Sequence, residues 1–242
     1  MSIHPRTTLL LAAVILSLAA CSKTPESPSD PAAAPSRTAA PVTDAQSSKS
    51  LDLYRTLLKD KAWDTASPVG QEIVMKYPGT AAAAEVQKTL PDTIAQAASS
   101  ATQRRLQRLW SYQSSTESGG AQNTASIYSS DSAGGDRVRL ILRRHSAWGQ
   151  SAYLFGSGKG FECKATCILA SRFDDQSQKI KAYLPPTGEP ALFISDDKAL
   201  IAKLRGTARL SIDVTEKGKA PRTLAFEVGG FDPDKFPPLA KK

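Results

Sequence analysis

Four short runs in the second half of the chain alternate apolar and polar residues, and this period of two constrains the fold more than any other feature. In Arg137-Val138-Arg139-Leu140-Ile141-Leu142-Arg143, the residues Val138, Leu140 and Leu142 fall on one face and the arginines on the other. Successive strand side chains point to opposite faces, so this is a half-buried strand. The same alternation aligns Ile180 with Ala182 and Leu184, Leu210 with Ile212 and Val214, and Leu224 with Phe226 and Val228. These sets are the predicted core. Weaker strands are expected over 124–129, 149–155, 167–173 and 191–195, separated by glycine- and proline-rich turns. Asp196 before and Gly206 after frame one short helix over 197–205. Strands of this length and spacing predict an antiparallel β-sandwich or open barrel over 110–232, with 233–242 left as a tail.

Upstream, over 48–109, the period is helical. Leu51, Tyr54, Leu57 and Leu58 form one apolar stripe, and Val69, Ile73, Val74 and Tyr77 form the next. Pro68 fits the start of the second helix and Pro78-Gly79 its end. A third stretch opens at Thr80 with Ala81 to Ala84, Val86 and Leu90, and resumes through Ile94, Leu106 and Leu109. Pro91 is predicted to split or kink it. The fold class is therefore α+β, a small helical segment followed by the β domain. From Trp63 to Ala82 the run resembles one helical hairpin of a tetratricopeptide array. About three such units make a stack, so a spacer or packing element is the plainer account than a peptide groove.

Residues 1–47 belong to neither part. Arg6 precedes an apolar run, Leu9 to Leu16, about half the length of a membrane-spanning helix. The run closes on Leu18-Ala19-Ala20-Cys21, which resembles the lipobox of bacterial lipoproteins. That resemblance implies that 1–20 is a signal peptide and that Cys21 carries diacylglycerol on its thiol and a fatty acyl chain on its amine. Several chains, at about 0.8 kcal/mol per buried CH₂, give stable membrane attachment. Ser22 resembles the second residue of lipoproteins forwarded to the outer membrane, which implies a site facing the periplasm. Residues 22–47 are rich in Pro, Ala, Ser and Thr, with Val42 the one large apolar residue, and 21–47 reads as a lipidated, disordered tether.

With Cys21 assigned to lipid, Cys163 and Cys167 are left to pair. A hairpin tip would bring their Cα atoms to about 5 to 6 Å, and a structural disulfide is expected in an oxidising compartment. A redox pair would use two intervening residues at a helix start, and zinc would need His145 plus a distant carboxylate. No metal or cofactor is expected. His145 and Ser146 are adjacent, and neighbours on a strand point apart, so they do not make a base and nucleophile. The pairs Asp174-Asp175 and Asp196-Asp197 fit turn and cap chemistry. Glycines 156, 158 and 160 sit between strands and make no phosphate loop. An enzyme is not expected; a hidden hydrolase would need His145 with a carboxylate and a hydroxyl in reach.

The formal charge is +8, with no block of like charge that would suggest a nucleic-acid arm. One constellation suits a binding surface: Arg137, Arg139 and Arg143 on the outer face of one strand, with Trp148, Tyr153 and Phe155 on its expected neighbour. Guanidinium groups beside aromatic rings fit acidic or sugar-bearing partners. The plainer account is a face whose aromatics pack beneath the helices, which must cover something. Trp110, the cysteine pair, Arg172-Phe173-Asp174, the short helix and the closing run from Phe226 to Phe231 together resemble periplasmic β-sandwich proteins of the invasion-associated locus B and type VI secretion accessory groups. That resemblance implies an envelope interaction domain without a catalytic centre. The expected function is a membrane-anchored binding module for an envelope protein or acidic polymer. The alternative is an assembly subunit acting through the helical hairpin.

Overall fold

The computed structural model describes residues 44–130 and 136–239. The signal peptide, Cys21 and the tether up to residue 43 lie outside these, while 44–47, expected as the end of the tether, already belong to a helix in which Ser47 is buried. Three helices open the described chain: α1 (Asp44–Lys59), α2 (Trp63–Lys76) and α3 (Ala81–Gln107). Their stripes meet in a small core of Leu51, Tyr54, Ala66, Ile73, Ala82, Ala83 and Val86. The buried Tyr54 hydroxyl bonds with the Thr89 and Thr93 hydroxyls at 3.0 and 2.9 Å.

Both helix prolines sit deeper than the sequence suggests. Pro68 is the sixth residue of α2, and α3 runs unbroken for 27 residues through Pro91, so Pro91 does not split it. Each proline removes one bond to the carbonyl four residues back. Here those carbonyls belong to Asp64 and Gln87, and all four residues are exposed, so water reaches the freed oxygens.

After a link of two residues come nine strands: β1 (Trp110–Glu117), β2 (Gly120–Tyr128), β3 (Arg139–His145), β4 (Gly149–Phe155), β5 (Thr166–Phe173), β6 (Gln176–Tyr183), β7 (Ala191–Ile194), β8 (Leu210–Val214) and β9 (Arg222–Phe226). They form one antiparallel sheet in the order β1-β2-β3-β4-β7-β6-β5-β8-β9. The two ends of the sheet approach each other. Trp110 Nε1 donates to the Val228 carbonyl at 3.3 Å, and Ser130 N donates to Ala225 O at 2.7 Å. Every strand contributes to a single core, and the nine strands form one continuous open sheet rather than two separate ones.

The alternating sets behave as their period requires. Val138, Leu140, Leu142, Leu210, Ile212, Leu224, Phe226 and Val228 are all buried there, while Leu184 packs at its margin. The short helix α4 (Asp197–Leu204) begins where Asp196 accepts from Ala199 N at 2.9 Å and buries Leu200, Ile201 and Leu204 in the same core. Asp174 accepts from the amides of Ala208 and Arg209, so this carboxylate also does turn work.

Two details depart from the sequence reading. Cys163 and Cys167 are bonded, with Cα atoms 5.5 Å apart, but they staple the loop entering β5 rather than a hairpin tip. The segment after residue 232, expected as a tail, packs back: Phe236 is 1% exposed in the core, Arg144 Nη1 donates to its carbonyl, and Asn123 Nδ2 donates to Pro237 O.

Candidate binding face

β3 and β4 pair with Arg139 opposite Phe155, Ile141 opposite Tyr153 and Arg143 opposite Ser151. Since Leu140, Leu142, Ala152 and Leu154 point into the core, these six residues point outward. The arginines divide between three aromatic partners at two places. Arg137 and Arg139 place their guanidinium carbons 5.0 and 5.7 Å from the Tyr128 ring centroid. Arg143 lies 5.1 Å from Trp148 and 5.4 Å from Tyr153. The expected constellation is thus one face with two centres.

The row continues beyond what the local pattern signals. Strand β7 lies between β4 and β6, so Tyr153 stacks on Phe193 at 4.7 Å and Phe193 on Tyr183 at 5.6 Å. At the other end Trp148 stacks on His145 at 3.8 Å. Six planar groups, from His145 through Trp148, Arg143, Tyr153 and Phe193 to Tyr183, therefore form contiguous contacts. Burial pushes the Tyr153 phenol above its ordinary value, while Arg143 and Arg139 pull it the other way.

His145 anchors this row. It is 2% exposed, its Nδ1 accepts from Ala147 N and Trp148 N, and its Nε2 contacts the Glu117 carbonyl at 2.9 Å. The two N–H donors at Nδ1 put the proton on Nε2, which donates to Glu117. Gly120 allows this placement, because a Cβ there would stand 2.4 Å from the imidazole. Both ring nitrogens are engaged by backbone, and Ser146 lies in the turn beyond. Among the described residues, no three His, Cys, Asp or Glu side chains gather as a metal site.

The helices do not cover this face. Their core is separate from that of the sheet, and α3 meets the sheet domain at the 3-10 turn Val228–Gly230 after β9. Gln103 bonds Gly229 O there, and Arg105 makes a two-pronged contact with Glu227 at 3.0 and 2.8 Å. Trp148 and Tyr128 consequently stay 50% and 47% exposed. Ile168, Lys179 and Lys181 extend the same outward face across β5 and β6. A groove of about 300 Å³ opens beside Arg143, bounded by Trp148, Tyr183, Phe193, Pro186 and Glu189.

No family model matches the sequence, and no curated protein matches it. Among solved structures, the chain is similar to the invasion associated protein B from Bartonella henselae, with 18% identity and a TM-score of 0.34. The match covers 50% of this chain and 84% of that one.

Proposed function

We propose that this chain is a lipid-anchored envelope protein that docks a protein partner on the outer face of its sheet and carries out no chemistry of its own. The observation that carries this reading is concentration. Among the described residues nine large apolar side chains are exposed, and five of them, Tyr128, Trp148, Phe155, Ile168 and Tyr183, lie on the outer surface of the sheet between β2 and β5. Aromatic residues and arginine together are the composition of protein interfaces, and an exposed apolar patch of this kind marks an interaction site. Arg139, Arg143, Lys179 and Lys181 give the face a positive sign, which favours an acidic partner. The engagement of both His145 nitrogens by backbone supports a non-enzymatic role.

The anchor rests on Leu18-Ala19-Ala20-Cys21, and the outer-membrane, periplasm-facing location on Ser22. No helix among the described residues is long and apolar enough to cross a membrane. Cys21→Ser should move the protein from the membrane to the soluble fraction of lysed cells, and retention in the membrane would refute the anchor. Docking is tested by a photo-crosslinking residue at position 183 or 155 in intact cells. A discrete adduct is expected that Arg139→Glu abolishes. Adducts confined to position 75 on α2, and indifferent to Arg139→Glu, would replace this reading with assembly through the helices.

A further inference from the structure

Arg143 is the one cation among the described residues that line its groove, beside Trp148, Tyr183, Pro186, Glu189 and Phe193. Arg143 is held by the rings of Trp148 and Tyr153, so its planar fork is pre-oriented before any ligand arrives. A carboxylate matches that fork in shape and charge.

The rest of the groove narrows the source of the carboxylate. Pro186, Phe193 and Trp148 supply an apolar wall, and Glu189 puts a negative charge in the same groove. A polymer with an acid on every unit would bring repeated charge against Glu189. A peptide with one carboxylate, an apolar neighbour and an amide or ammonium donor would satisfy all three features at once. Resting on the docking face described above, we propose that this groove takes an Asp or Glu side chain from an exposed segment of the partner protein, its carboxylate on the Arg143 guanidinium and its flanking apolar residue against Trp148 and Pro186.

The test observes the arginine Nε–H and indole N–H signals of the mature chain by NMR. The probe is the blocked peptide acetyl-Leu-Glu-Lys-Leu-amide, compared with its Gln counterpart and with tri-galacturonate. Saturable shifts at Arg143 and Trp148 are expected with the Glu peptide, about tenfold weaker with the Gln peptide. Arg143→Lys keeps the charge but removes the fork, and should abolish saturation at Trp148. Equal response to the Glu and Gln peptides, unchanged binding by Arg143→Lys, or tighter binding of tri-galacturonate would each overturn the proposal. If the cellular adduct is lost in Arg139→Glu but persists in Arg143→Lys, the groove assignment fails while the face stands. If position 183 captures nothing, the face itself fails.

Discussion

Replacing Gly230 with alanine is the sharpest stability test of how the helices join the sheet. Gly230 lies in the 3-10 turn against the end of α3. An added Cβ would stand 2.2 Å from the Leu106 carbonyl carbon and 2.3 Å from Gln107 N, where ordinary contact begins at 3.4 Å. The obstacle is helix backbone, which has no rotamer to change, so α3 must shift by about 1 Å or the turn must open. Overpacking costs typically about 1 to 3 kcal/mol, and an immovable neighbour places this case near the upper end. With a urea slope of about 2 kcal/mol per molar, the unfolding midpoint should fall by about 1 M or more. Trp110, bonded to Val228 in the same turn, gives the fluorescence signal. Gly229→Ala meets Ala208 Cα at 3.2 Å and should cost less, and Gly206→Ala meets nothing within 4 Å and should be neutral. A Gly230→Ala midpoint within about 0.2 M of the parent would refute the close junction.

The same junction has a pH signature. Hydrogen bonds from Arg105 hold the Glu227 carboxyl below its ordinary value, so its contribution is fully present above that value and fades as pH falls through the depressed one. Arg105→Gln should flatten the acid limb of a thermal stability profile, and an identical limb in both proteins would count against the pair. Phe236→Ala, in the segment that the sequence presents as a tail, should cost about 3 to 5 kcal/mol in denaturant unfolding. Cys163 and Cys167 should resist alkylation in exported protein until reduced, and replacing both with serine should cost about 2 kcal/mol for a loop this short.

Local alternation was enough to find the inward residues of β3, β6, β8 and β9, because half-buried strands must repeat every two positions. Capping chemistry was likewise enough for α4. Strand β1 escaped because it is a sheet edge with Trp110 its one fully buried residue, so its polar run carries no period. The candidate face was half legible. Arg139, Arg143 and Tyr153 follow from adjacent strands, whereas Tyr183 and Phe193 join only because β7 inserts between β4 and β6. That order depends on long-range packing and leaves no local mark. Covering of the face by the helices was the reasonable expectation for an amphipathic segment. It failed because α1, α2 and α3 satisfy one another's stripes and touch the sheet at its closing turn instead.

Only Arg108 and Leu109 separate the 27 residues of α3 from β1, and the Gly230 turn and the Arg105–Glu227 pair grip its last turns. At 1.5 Å per residue the helix is a rod of about 40 Å, welded to the sheet at one end. Such a joint transmits torque. The helices and the Arg143 groove therefore keep one bearing to each other, and a partner meets both in that fixed relation.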